Sequence, residues 1–302
     1  MAPQPHTLDP ALRISRRAGQ LGLLALLVFF LAWDLWAVLV DQRLGTDTSD
    51  STLVDFFRLQ FFLREAGLGQ WLTSGYVKGP AATLIICLLE PLVDDWLLAA
   101  RLTSVLAHGV LLWLVCRLTV RLSRGGHLLG LVAVAICGSF PMEYGWFRMD
   151  FHEPLVAVAV IAALLAMLHG VERPAAAARL GLVVGLGALT KMTFPMFLLF
   201  PGAWFLVRNL RHRRRALHLG LAALTAAVVV AWWAVPTLGL LQQYLVDSTG
   251  RYPASASFKL QHYLLELPGS APLLATGLLG AALAWRGRLA RGADLLPLAL
   301  GV

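Results

Sequence analysis

The chain has 302 residues, 58% of them hydrophobic and only 14% charged, with a mean hydropathy of +0.71. Soluble domains carry about a quarter charged residues. A chain of this length cannot enclose so much Leu, Ala and Val in one core, so a soluble protein is excluded and apolar surface must face lipid. The net charge of +8 would suggest nucleic acid in a soluble protein. Here the basic residues lie in short stretches between apolar runs, the pattern that encodes membrane orientation, and no nucleic-acid partner is expected.

Residues 1–20 read as a cytoplasmic N-terminus, with Arg13, Arg16 and Arg17 ahead of the apolar run Leu21–Val40. That run is too long for a signal peptide and has no small-residue cleavage site. It is therefore expected to be a first, uncleaved span. Asp34 lies inside it and must face the bundle interior or a watery cavity.

Residues 41–100 form the expected first extracytoplasmic loop. Asp41, Asp47, Asp50 and Asp55 gather there with Arg43 and Arg58. They read equally as a solvated loop in which Asp50 or Ser51 caps a helix from Thr52. Two apolar segments, Thr52–Leu63 and Ala81–Val93, are too short to span and are expected to be helices lying at the interface. Ahead of the second stands Tyr76-Val77-Lys78-Gly79-Pro80. Pro80 suits the first turn of a helix. Lys78 reads either as a point charge for a phosphate or as a lysine snorkelling to headgroups.

Further spans are expected near Arg101–Leu122, His127–Tyr144, Pro154–His169, Leu180–Lys191, Met192–Val207, Leu217–Val235 and Ala271–Trp285, with a last one starting near Leu295 and continuing past Val302. The fold expected is an all-α, polytopic transmembrane helix bundle of about eight to nine spans. His108 reads as a packed, hydrogen-bonded core histidine, and Cys87, Cys116 and Cys137 as single packing residues. Between two spans, Arg148, Asp150, His152 and Glu153 fall within six positions. Acid and imidazole this close suit a divalent metal or an oriented base. Lys191 ends a Gly185-Leu186-Gly187-Ala188-Leu189-Thr190 segment whose glycines permit close helix packing.

This order of spans puts 16 of the 25 basic residues on the cytoplasmic side, all of them arginine, and 13 of the 17 acids on the outer side. Acids do not set topology, so their outward bias calls for a functional reason.

The outer-face motifs, in order, resemble those of the polytopic GT-C glycosyltransferases that use lipid-phosphate sugars. The likeness is to glycosyltransferase family 39, with its protein O-mannosyltransferases and aminoarabinose transferases. Thr46–Asp55 is similar to the acidic first loop, Lys78-Gly79-Pro80 to a Lys-Pro-Pro segment, and Ala99-Ala100-Arg101-Leu102 to an Ala-Arg-Leu segment. Arg148-Met149-Asp150 resembles an Arg-x-Asp loop, Gly185–Lys191 a Gly-Leu-x-x-Leu-Thr-Lys helix end, and Lys259–Pro268 a later outer loop. The resemblance runs over about residues 20–290, with Ser51 in place of the family's second acid and Gly79 in place of its first proline.

The resemblance implies transfer of a sugar from a polyprenyl-phosphate donor to a hydroxyl of a protein, lipid or glycan acceptor. It implies inversion at the extracytoplasmic face of a bacterial inner membrane. Asp50 is then the base, with Asp47 and Asp55 as alternatives, and Asp150 the second acid. Lys78, Arg148 and Lys191 would hold the donor phosphate, and His152 and Glu153 are the residues for a divalent metal ion. Two other readings belong to different classes. One is a non-catalytic membrane paralogue. The other is a transporter or flippase, which would tend to place ionisable groups at the midplane and to show inverted repeats.

Overall fold

A computed structural model describes residues 14–40, 80–123, 126–139, 152–191 and 194–251 of the chain, and among them there is helix and no strand. The first helix, α1 (Arg16–Val40), buries Phe30, Asp34, Ala37 and Val38, one stripe at helical spacing. Its other faces expose Leu24, Val28, Phe29, Trp33 and Trp36, as lipid contact requires.

The short α2 (Ala81–Val93) buries Ala82, Thr83, Ile86 and Glu90, while Leu88 and Leu92 lie on its open face. Thirteen residues rise about 20 Å, too little to cross. After α2 the backbone turns at Asp94 in the left-handed region (φ 51°), and Asp95 caps α3 (Trp96–Leu122), its carboxylate accepting from the Leu98 amide at 2.9 Å. This cap starts α3 five residues before the expected Arg101. Ile86 of α2 packs on Ala99 and Ala100 of α3.

Helix α4 (His127–Gly138) returns beside α3 and α1. Gly130 meets Cys116 and Val120 of α3, and Gly138 lets the Phe30 ring of α1 sit against the backbone. Helix α5 (His152–His169) begins two residues earlier than expected. Pro154 occupies its first turn, where the missing N–H breaks no intrahelical bond. Gly170 (φ 77°) turns the chain into α6 (Pro174–Ala188), which starts at Pro174 and its alanine run rather than at Leu180.

The expected Met192–Val207 span is split into α7 (Phe194–Phe197) and α8 (Leu199–Leu210). The cause is Pro201, which has no N–H to offer the Phe197 carbonyl. The last described helix, α9 (Arg213–Arg251), has 39 residues and rises about 58 Å, so it projects beyond a hydrocarbon layer of about 30 Å.

The protein is an all-α membrane bundle. Among the described residues, Arg16–Val40, Leu98–Leu122 and Arg213–Gly239 are long and apolar enough to cross a membrane. The stretches Ala81–Val93, His127–Gly138, Pro154–His169 and Pro174–Ala188 are shorter apolar helices. The expectation of about eight to nine spans covers the whole chain, whereas these lengths are those of the described residues alone. The expected spans at Ala271–Trp285 and from Leu295, and the helix at Thr52–Leu63, lie outside the described residues.

The closest helix packing joins α6 to α9. A Cβ on Gly181 would collide with the Ala222 carbonyl oxygen, and one on Gly185 would meet Val229 at 2.8 Å. These two glycines, four apart, form a small-residue face of the kind that draws membrane helices together.

Candidate active site

The end of the bundle where α1 and α6 finish and α2 and α3 begin is assembled from segments far apart in sequence. The amide of Ala81 donates to the carbonyl of Leu189 at 3.0 Å. That bond ties the start of α2 to the residues just past α6, across more than a hundred residues of chain. It satisfies two groups that helix ends leave open, a first-turn N–H and a last-turn C=O. Pro80 is fully buried at this junction. Thr190 is also buried, its hydroxyl donating to the Gly187 carbonyl at 2.6 Å. Gly187 itself is pressed against the Phe194 ring. Lys191 follows, half-buried, and its carbonyl accepts from the Phe194 amide at 3.0 Å.

A second tie joins α3 to the last turn of α1. Arg101 Nη1 donates to the Val38 carbonyl at 3.3 Å. Val38 is among the last four carbonyls of α1, which have no partner within their own helix. The Ala99–Leu102 segment singled out in the sequence thus holds the point where the chain leaves α1 for the first loop.

The opposite end collects the arginines. Gly19 of α1 abuts His127 of α4, and the turns at 170–173 and 210–213 meet through His218, which donates to the Val171 carbonyl at 2.6 Å. Arg215 pairs with Glu172 at 3.1 Å. Among the described residues, the arginines at the start of α1, the end of α3 and the turn between α8 and α9 share this end.

The sequence-predicted residues divide accordingly. Asp47, Asp50, Asp55, Lys78, Arg148 and Asp150 lie outside the described residues. The backbones of His152 and Glu153 form the first two positions of α5, and Lys191 stands three residues past the end of α6. Among the described residues no three His, Cys, Asp or Glu side chains gather as a metal-holding group.

Two residues that the sequence reading passed over lie on α2. Glu90 is a carboxylate 8% exposed, and Thr83 is 1% exposed with a hydroxyl that makes no hydrogen bond among the described residues. Both belong to the buried stripe Thr83, Ile86, Glu90. Its three- and four-residue spacing was visible in the sequence and would have turned these polar groups inward.

Residues 77–235, more than half of the chain, match the family described as dolichyl-phosphate-mannose-protein mannosyltransferase. No curated protein and no solved structure gives a significant match. The matched segment opens one residue before Lys78 and takes in Arg148, Asp150, His152, Glu153 and Lys191. Asp47, Asp50 and Asp55 precede it, so it is narrower than the resemblance over residues 20–290. It carries the implication of a membrane glycosyltransferase of the GT-C type, served by a lipid-linked sugar. The fold agrees in kind, an apolar helical bundle. This chain, then, belongs to the dolichyl-phosphate-mannose-protein mannosyltransferase family.

Proposed function

We propose that the protein moves a sugar from a polyprenyl-phosphate donor to an acceptor hydroxyl at the extracytoplasmic face of the bacterial inner membrane, with inversion at the anomeric carbon. The observation that carries this reading is the Ala81–Leu189 main-chain bond. It ties Ala81, three residues after Lys78 in sequence, to Leu189, two residues before Lys191, which supports assigning both lysines to one site. The arginine-rich turns at the other end favour a cytoplasmic side there, which makes the junction end extracytoplasmic.

The chemistry asks for two kinds of group. The acceptor oxygen forms the new bond to the anomeric carbon while a base takes its proton. The bond from that carbon to the phosphate oxygen breaks, and the electron pair leaves with the polyprenyl phosphate. Asp50 is assigned as the base, with Asp47 and Asp55 as the neighbouring alternatives, and Asp150 as a second acidic wall. Lys78, Arg148 and Lys191 are assigned to the phosphate, whose growing charge fixed cations stabilise best where water is scarce. His152 and Glu153, next to Asp150 in sequence, are an imidazole and carboxylate set suited to a divalent ion, which would supply further positive charge at the phosphate.

The test is transfer itself. Membranes carrying the protein are incubated with radiolabelled polyprenyl-phosphate sugars, alongside membranes carrying Asp50→Asn. Label passing to an acceptor in the wild type and not in the variant is the expected result. Label that crosses the bilayer without being transferred would replace this reading with a flippase. No change in the label's chemical form or position would leave a non-catalytic member of the family.

A further inference from the structure

The turn between α8 and α9 concentrates charge that the described residues do not neutralise. Arg208, Arg211, His212, Arg213, Arg214 and Arg215 fall within eight positions, and between Glu153 and Asp247 the sequence offers one acid, Glu172. That acid is taken by Arg215 at 3.1 Å. Arg211, Arg213 and Arg214 are exposed, and none has a side-chain partner among the described residues. Three of these arginines stand on the first turn of α9, which contains no acid. A helix N-terminus carries the positive end of the backbone dipole, so cations there are disfavoured unless an anion is present.

Exposed apolar side chains lie next to this charge in the sequence. Leu206, Val207, Leu210 and Leu217 are all exposed. Leu217 lies three and four residues beyond Arg214 and Arg213, on the same face of α9. Leu210 immediately precedes Arg211 at the end of α8. Exposed cations and exposed leucines therefore alternate within one strip of sequence, 206–217, at the turn from α8 to α9.

We propose that this strip is a binding site for an anionic glycerophospholipid of the surrounding leaflet, with its phosphate held by Arg211, Arg213 and Arg214 and its acyl chains lying on Leu210 and Leu217. The site is at the opposite end from the candidate active site and does not depend on the sugar-transfer reading. A free phosphate ion would meet the arginines but leave the leucines unused, which is why the lipid is the occupant.

The test uses the purified full chain in detergent. Dioleoyl phosphatidylglycerol, dioleoyl phosphatidylcholine and inorganic phosphate are titrated separately, with binding read from the rise in Tm and from lipid adducts in native mass spectrometry. Phosphatidylglycerol should stabilise the protein and form adducts; the other two should not. The triple substitution R211Q/R213Q/R214Q should weaken phosphatidylglycerol binding by about fivefold for each arginine lost. Glu172→Gln, which removes the exposed acid and frees Arg215 from its ion pair, should tighten it. Equal effects of the two lipids, a phosphate effect matching that of phosphatidylglycerol, or a triple variant that binds like wild type would overturn the site. If the triple variant does not fold, an unchanged phosphatidylglycerol affinity in Glu172→Gln overturns it instead.

Discussion

His108 Nδ1 lies 2.6 Å from Asp34 Oδ2, joining α1 to α3 within the bundle between residues 74 apart in sequence. Both side chains are almost wholly buried, and the His108 ring is tilted against Phe30. A carboxylate in a spanning helix cannot be left facing hydrocarbon. The imidazole N–H answers it, and the hydrogen bond sets how α1 is rotated against α3. Removing one partner strands the other, which costs about 3–5 kcal/mol for a buried pair. His108→Ala and Asp34→Ala should each lower Tm strongly in detergent. The double substitution Asp34→Leu with His108→Leu should recover much of the loss, since apolar replacement of a buried pair is often neutral. A double variant as unstable as either single one would show that the pair is not what holds these helices together.

Gly181 and Gly185 set the distance between α6 and α9. The obstacle beside Gly181 is the backbone carbonyl of Ala222, which cannot swing aside as a side chain can. Gly181→Leu should therefore separate the helices and destabilise the protein by about 1–3 kcal/mol or more. Gly220 has nothing within 4 Å of the position its Cβ would take, so Gly220→Leu on the same helix pair should leave Tm nearly unchanged. Thermal unfolding of the two variants side by side checks the contrast.

Much of the frame was legible in the sequence because lipid imposes simple rules. Asp34 had to face inward, His108 had to be hydrogen-bonded, and Gly185 had to admit a neighbour. That Asp34 and His108 answer each other was not legible, because one sequence does not reveal how two helices are rotated about their axes. Helix starts were misplaced where an apolar count outweighed local chemistry. Asp95 is a strong cap immediately before Trp96, five residues ahead of the Arg101 boundary that an apolar count suggests. Pro201 breaks an apolar run that composition alone would read as continuous. At the candidate site, the arginine bias of the sequence leads to the expectation that the motifs share the outer side. The Ala81–Leu189 junction was not legible, since a main-chain bond across such a separation leaves no mark on the residue types that make it.

Arg101 should matter more than a surface arginine. Its bond reaches a carbonyl that α1 cannot satisfy by itself, at the point where the chain departs for the first loop. A hydrogen bond from a charged donor is worth about 1.5–3 kcal/mol, and Arg101 is only half-buried, so the lower part of that range applies to Arg101→Gln. The larger effect should fall on activity, because the first loop carries the acids assigned to the acceptor. Sugar transfer by Arg101→Gln should drop well beyond the stability loss, with Arg101→Lys retaining part of it. Transfer assays on equal amounts of folded protein separate the two effects.

Lys191 carries the sharpest prediction for the proposed chemistry. It follows a buried Thr190 and a glycine packed on Phe194, so its backbone is held from both sides. A lysine positioned in this way stabilises a leaving phosphate without having to reorganise when charge develops. Lys191→Met keeps the length and apolar stem and removes the charge. If the ammonium acts on the departing phosphate, kcat should fall by about 100- to 1000-fold, the range for deleting one preorganised donor. Donor KM should rise far less. If the lysine only snorkels to headgroups, both constants should stay near wild type. A rise in KM with kcat intact would mean that it binds donor and transition state equally, and the assignment would shift from stabilising the transition state to recruiting the donor.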